Sequence, residues 1–459
     1  MLGLVFLESV RLAEPEPRDL EERQSAGRQP SWSGGVSGQP GDAVAGTEPE
    51  RPAAGGAGAV VLGGDFKAVG AVRSLARLNV PTVVVDGERG PAWLSRHPRS
   101  RHRWRGPMEG PPFTAFLRRL AEARGLHGWL LLPMRDDAVE AVARDRAALE
   151  AVYRLVTPPW SQLRDVHEKR RLSALADAAG VPCPQAWYPR GDADLAAIQI
   201  TLPAIVKPTA SIRMQHVLGR KALPAHDHES LLAQYRLAVE RLGVDELMVQ
   251  ELIPGDGSTQ FSVAGFYMDG RPVAAMTARR TRQFPYDFGL SSSFVESMEV
   301  PGLIELASRL LERTGISGML EVEFKRDPRD GRFKLLDVNV RPWGWHSLCQ
   351  ACGLDFVAMQ YRWALGDTIE PSLPRYGPKW IRVLTDVPAG VQEMRAGRLS
   401  PRAYLRSLRG PLVFSTFDVR DPLAGLGELA SAANRLLPWW SERRSRGSRT
   451  LVSFRHEAQ

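Results

Sequence analysis

The sequence predicts an α/β domain with a parallel sheet, followed by an α+β domain built on antiparallel strands and a helical C-terminal extension. Three observations predict it. An apolar strand, Ala59-Val60-Val61-Leu62-Gly63-Gly64, is followed by a helical pattern from Ala68 to Leu78 and a second strand, Thr82-Val83-Val84-Val85-Asp86, which makes one βαβ unit. Met319–Lys325 and Arg332–Val340 read as strands joined by Asp327-Pro328-Arg329-Asp330-Gly331, the pattern of an antiparallel hairpin. After about residue 367 the pattern is helical and carries no motif.

The bulk properties narrow the function classes. A chain of 459 residues suits two to four domains, and 43% hydrophobic with 24% charged residues is ordinary for a globular protein. No apolar run approaches 18 residues, so neither a transmembrane helix nor a membrane partner is expected. Met1–Val10 is apolar but short, lacks a basic run before it and leads into acidic Glu14–Glu22, which fits a signal peptide poorly. The three cysteines are too few for a disulfide framework, and Cys349-x-x-Cys352 has no second pair to complete a zinc site. They and Cys183 are read as reduced thiols of a cytoplasmic protein. The net charge of +8 comes from 60 basic against 52 acidic residues, a modest excess with Arg443, Arg444, Arg446 and Arg449 near the end. That run reads as a solvated tail, and no nucleic-acid partner is expected. Lysine is scarce: Lys67, Lys169, Lys207, Lys221, Lys325, Lys334 and Lys379 stand against 53 arginines.

Taken in order, residues 1–56 are rich in Gly, Pro, Ser, Ala and Glu and read as disordered. Gly128–Pro133 adds a strand to the first sheet. The turn at Gly63-Gly64 lacks the full GxGxxG of a dinucleotide site. His167–Ala179 reads as a helix ended by Gly180, and Val181-Pro182-Cys183-Pro184 forces extended chain. Strands are predicted at Ala204–Lys207, Leu247–Gln250, Phe261–Met268 and Pro272–Ala278, with a helix over Gly302–Arg313.

The chemistry concentrates in the hairpin. Strand alternation puts Glu321 and Glu323 on one face, with Asp337, Asn339 and Arg341 on the matching face of the return strand and Leu336, Val338 and Val340 opposite. Cross-strand neighbours bring Glu323 close to Asp337 and Asn339, and these two carboxylates and an amide facing one another suit a hard cation such as Mg²⁺. Lys207 ends an apolar strand, where a buried ammonium calls for an anion, and Lys169 supplies a second cation upstream. Met248–Gly255 leaves a strand for a turn, exposing backbone groups that an adenine edge can pair with. Arg279, Arg280 and Arg282 form a guanidinium cluster suited to phosphate or carboxylate.

In this order and spacing, HEKRRL…GVPCP, PAIVKP, VQELIPG, EVEF and LLDVNVRPWGWH resemble the ATP-grasp superfamily, and within it the carbamoyl-phosphate-synthetase-like branch of carboxylate–amine ligases. The resemblance spans roughly residues 59–366. It implies a Rossmann-like pre-ATP-grasp domain at 57–155 and a two-lobed ATP-grasp domain at 156–366, with a smaller lobe of about 160–245 and a larger one of about 246–366. Residues 367–459 form an extension with a basic tail. Carried over, it implies that Lys169 and Lys207 hold the phosphates of ATP, while Gln250, Glu251, Leu252 and Ile253 border the adenine between Ile205 and Leu336. Gln260 would lie near the ribose. Glu323, Asp337 and Asn339 would bind Mg²⁺ or Mn²⁺, two ions in all, and Arg341 would orient the acyl phosphate or the intermediate that follows it. Arg279 and Arg280 are catalytic candidates from the arginine cluster, which would spread the phosphate charge and line the substrate pocket. Arg282, Tyr286 and His346 are further pocket candidates.

This sequence departs from the family at three points. Asp337 stands where Glu is usual, and Gln260 where an acid is. The lid Thr209–His216 lacks glycines, so that Lys221 or Arg213 would have to compensate. The implied activity is ADP-forming ligation of a small carboxylate to an amine or a thiol, by a chain that could act as a homo-oligomer. A nucleotide-binding regulator or scaffold without turnover is the alternative.

Overall fold

The computed structural model describes residues 56–209, 222–284 and 291–433. The low-complexity segment through residue 55, Arg213, Lys221, Tyr286 and the basic tail lie outside the described residues.

The first sheet is parallel, in the order β3 (Ser100–Arg103), β2 (Thr82–Asp86), β1 (Ala59–Leu62), β4 (Leu130–Pro133), β5 (Arg154–Leu155). Every residue of β1, β2 and β4 is buried, as expected of strands covered on both faces by crossover helices. The strand order reverses direction between β1 and β4, which opens a crevice at their carboxyl ends. Gly63 starts that edge at φ 111°, a backbone angle that side chains with a Cβ rarely adopt.

A second, four-stranded antiparallel sheet has the order β6 (Ala186–Trp187), β9 (Leu247–Glu251), β7 (Ala204–Pro208), β8 (Leu223–Ala225). Helix His228–Leu242 covers one face, with Leu231, Tyr235 and Ala238 packed on Ala204, Val206 and Val249.

The third sheet has seven strands: β14 (Phe333–Asn339), β13 (Gly318–Arg326), β10 (Gln260–Met268), β11 (Arg271–Phe284), β12 (Ser291–Ser297), β15 (Lys379–Ile381), β16 (Leu412–Phe414). One face packs Val263, Val322 and Phe324 against helix Leu303–Leu311 and the helices around residues 160–178. The other packs Ala264, Phe266, Met276 and Val295 toward the first domain, with Trp343 and Trp345 between.

Three expectations change. The helix read at His167–Ala179 is two helices, Trp160–His167 and Lys169–Ala178, because Glu168 is extended at φ −84°, ψ 118°. The strand read at Pro272–Ala278 runs from Arg271 to Phe284, continued by its pairing with β12. The extension is not only helical. β15 and β16 add to the large sheet, and three-residue strands are too short to show an alternation.

Candidate functional site

The cationic side begins with alternation in β7. Ala204 and Val206 enter the core of the four-stranded sheet, so Ile205 and Lys207 turn to the opposite, half-buried face. Lys67, Lys169, Lys325, Lys334 and Lys379 each bind a carboxylate or a carbonyl. The Lys207 ammonium, alone among those of the described lysines, has no hydrogen bond or ion pair. Burial and the neighbouring Lys169 push its ammonium down to about 7, although Asp337 acts the other way. Lys169 is the first residue of its helix, a position it owes to the break at Glu168, and its Nζ lies 2.5 Å from Asp337 Oδ1.

The acidic side is the hairpin. Its register pairs Glu321 with Asn339 and Glu323 with Asp337, which brings the predicted metal residues together. Asn339 Nδ2 donates to Glu321 Oε2 at 3.0 Å and to Glu323 Oε1 at 2.9 Å. Burial alone would raise the carboxyl of Asp337, yet Lys169 holds it below the usual range. Glu321, which sequence reasoning put on this face but not in the site, is 1% exposed and accepts from Trp345 Nε1 at 3.0 Å. Burial, then the nearby Glu323, push its carboxyl up.

This donor set fits a hard cation only in part. Among the described residues no group of three His, Cys, Asp or Glu is gathered to hold an ion. Glu323, Asp337 and the Asn339 oxygen form an incomplete oxygen set, compensated here by Lys169 and Arg280. Such a set suits Mg²⁺ arriving with a polyphosphate, which supplies the missing ligands, rather than a resident cage.

Two arginines complete the centre. Arg280 donates to Gln260 Oε1 at 2.7 Å and to Glu323 Oε2 at 3.2 Å, so Gln260 is tied to the acidic side. Arg341 grips Asp136 at 2.5 and 2.8 Å and also reaches Asn339 Oδ1 at 3.0 Å. Asp136 opens the helix Asp136–Arg144 at the carboxyl end of β4, so the first domain contributes to the site. No local motif marks it, and sequence reasoning missed it. Burial would lower the Arg341 guanidinium and raise the Asp136 carboxyl; their pairing reverses both.

At the end predicted to border an adenine, β9 pairs Gln250 with Ile205, placing both on the Lys207 face. The Glu251 and Leu252 amides donate to Gln185 O and Pro203 O, each at 2.9 Å. The next amide, of Ile253, has no partner among the described residues and can meet a base edge. The Glu251 side chain turns away, to Arg329, to Lys334 at 3.7 Å and to the Gln185 amide at 3.2 Å. The face read for Leu336 from alternation changes: the pairing skips it between Leu335 and Asp337, so this bulge removes it from the face of Val338, and it stays half-buried while Leu335 and Val338 enter the core.

Three candidates go elsewhere. Arg279 lies on the opposite face from its neighbour Arg280 and pairs with Glu296 at 2.8 Å. Arg282 is 2% exposed and bound to Asp386 of the extension. His346 is packed on Gly70, its Nε2 2.9 Å from Lys67 O, and burial lowers its pKa. The glycine turn is partly occupied as well: Asp86 accepts the Gly64 amide at 2.5 Å and Asp65 caps the following helix through the Lys67 amide, so two amides that a pyrophosphate would use are taken.

No protein-family model and no curated protein matches the sequence. Solved structures do match the fold. The biotin carboxylase domain of the 2-oxoglutarate carboxylase of Hydrogenobacter thermophilus, in complex with MgADP, ADP and bicarbonate, is 17% identical at a TM-score of 0.57, over 70% of this chain and 73% of that one. N5-carboxyaminoimidazole synthetase from Staphylococcus aureus, complexed with ADP, is 12% identical at 0.55, over 70% and 80%. An L-amino acid ligase from Bacillus licheniformis is 14% identical at 0.51, over 69% and 75%. At these identities the likeness establishes the fold, which is the ATP-grasp fold.

Proposed function

We propose that this ATP-grasp chain is an ATP- and Mg²⁺-dependent ligase that activates a carboxylate as an acyl phosphate and joins it to an amine. The observation that carries the reading is Lys207, an unpaired, largely buried cation facing the acidic hairpin. A buried ammonium without a counter-charge is costly, and a phosphate oxygen supplies one.

Lys207 and Lys169 take up the charge of the triphosphate. When Lys169 turns to phosphate it frees Asp337, so that Glu323, Asp337 and Asn339 can hold one or two divalent ions. An ion there would neutralise the phosphate oxygens as charge shifts to the leaving group. A substrate carboxylate oxygen bonds to the γ-phosphorus as the bond to ADP breaks. The amine nitrogen then bonds to the acyl carbon, phosphate departs with the C–O electrons, and the nitrogen loses its proton. Arg341 aims its N–H groups at the oxyanion of that second step. The amino acid named for the Bacillus ligase supports trying amino acids first.

The test incubates the full chain with ATP, Mg²⁺, hydroxylamine and a panel of amino acids and small carboxylic acids. An acyl hydroxamate formed in step with phosphate is expected, and Lys207→Ala should abolish both. ATP binding with no carboxylate-dependent ADP would instead mark a catalytically silent nucleotide-binding protein.

A further inference from the structure

We propose that Glu321 is a positioning residue: it holds the Asn339 side-chain amide so that its oxygen, and not its NH₂ group, faces the divalent ion that accompanies the nucleotide. The role rests on the reading of Glu323, Asp337 and Asn339 as that ion's oxygen set, and it falls to a residue outside the set. Glu321 lies inside β13, between Ala264 of β10 and Asn339 of β14, and is 1% exposed. A carboxylate is costly to bury unless donors surround it. Here Trp345 Nε1 donates to Oε1 at 3.0 Å, Asn339 Nδ2 donates to Oε2 at 3.0 Å, and the Ser262 hydroxyl is a further partner.

Counting donors and acceptors leaves the Asn339 amide one orientation. Its Nδ2 donates to Glu321 and, at 2.9 Å, to Glu323 Oε1, while its Oδ1 accepts from Arg341 at 3.0 Å. Ionised carboxylates only accept and a guanidinium only donates, so the NH₂ group must face the two glutamates and the oxygen the arginine. In the proposed function Glu323 turns to the ion and Arg341 to the reacting groups. Glu321 is then the contact that stays.

What fixes Glu321 is the indole behind it. Trp345 is 1% exposed and packs edge-on against Trp343, with ring centroids 5.6 Å apart, so its N–H cannot turn elsewhere. An indole nitrogen only donates. One oxygen of Glu321 is therefore committed to Trp345 and the other to Asn339, which requires a side chain with two acceptors. Glutamine has the same shape and only one. With its oxygen drawn to the immobile indole, its NH₂ would face the NH₂ of Asn339. The half-buried Asn339 is the side chain able to move, and it relieves the donor–donor contact by turning over, which aims its nitrogen at the ion.

The full chain is titrated with Mn²⁺ at saturating ADP, with the free ion read from its EPR signal. The melting midpoint and ADP affinity in chelator check folding. Glu321→Gln is expected to bind Mn²⁺ about 10- to 100-fold more weakly, with ADP affinity in chelator unchanged. In the double variant Glu321→Gln, Trp345→Phe the glutamine can turn its NH₂ to the vacated side and its oxygen to Asn339. Affinity should then return to within about threefold of wild type, whereas two losses that merely add mark a carboxylate that only fills space. Unchanged affinity in Glu321→Gln overturns the proposal, as does a double variant no better than the single one. If Glu321→Gln does not fold, the double variant decides alone: affinity near wild type supports the proposal and a loss of about tenfold or more overturns it. A wild type that retains no Mn²⁺ with ADP overturns it too. Hydroxamate formation is read separately. Loss and rescue of Mn²⁺ without hydroxamate would refute ligation and leave the role of Glu321 standing, and hydroxamate without that rescue would do the reverse.

Discussion

Arg282 and Arg341 each hold an aspartate from a distant part of the chain in a two-point grip, but in different surroundings. Arg282 meets Asp386 at 2.8 and 2.9 Å, binds Ser407 Oγ at 2.9 Å and stacks over the Phe294 ring at 4.1 Å. Its side chain is 2% exposed and that of Asp386 is fully buried. Arg341 holds Asp136 with similar geometry, yet the side chains are 12% and 34% exposed and its third contact is the site residue Asn339. Paired geometry therefore does not separate a structural arginine from a functional one. What separates them is water access and the remaining partners. Arg282 is saturated by fixed groups that tie the extension to β11, while Arg341, in the proposed function, exchanges contacts for an anion.

The largest effect should come from breaking the first pair. Asp386→Ala leaves a guanidinium buried without its counter-charge, which costs about 3–5 kcal/mol. Thermal melts should show a clear fall in midpoint, with ADP affinity of the folded protein unchanged. A loss under about 1 kcal/mol would mean that the pair is no clamp. Arg341→Ala should do the reverse: hydroxamate formation falls about 10²–10³-fold while the melting midpoint and ADP affinity barely move. A drop in all three together would make Arg341 another clamp and erase the contrast. Asp136→Asn keeps the shape of the second pair and removes the charge. The rate should fall about tenfold through kcat, with KM for ATP unchanged, since Asp136 only aims Arg341. A rate equal to wild type would leave Asp136 as filler between domains.

The same contrast explains what could be read in advance. The hairpin was legible because alternation and a short turn fix cross-strand neighbours: Glu323 does face Asp337, and Asn339 lies between Glu321 and Glu323. Lys207 was legible because it ends a strand whose other residues are apolar. Leu336 was misread, since a one-residue bulge is invisible to alternation. Arg279 and Arg280 looked like one cluster, but neighbours on a strand point to opposite faces, and only Arg280 reaches the site. Asp136 and Asp386 could not be found at all. Each lies more than a hundred residues from its arginine, and only the packing of domains brings them together. The extension hid its two strands in three-residue pieces.

The smallest effect isolates the phosphate side from both arginines. In the free protein the Lys207 ammonium titrates at about 7, chiefly because burial disfavours its charge and Lys169 repels it. A bound polyphosphate favours the charged form, so the complex keeps the proton to a higher pH. The sign follows. Below about 7 the lysine is already charged and binding carries no proton, whereas above it binding must take one up, and ADP affinity falls by up to tenfold per pH unit. Nucleotide phosphates titrate as well, so the reference is Lys207→Arg, whose guanidinium stays charged throughout. Calorimetry above pH 7, in buffers of different ionisation enthalpy, should show about one more proton taken up per ADP by wild type than by the variant. If the two proteins respond to pH in parallel, Lys207 is not the group that grips the phosphates, and the unpaired lysine loses its meaning.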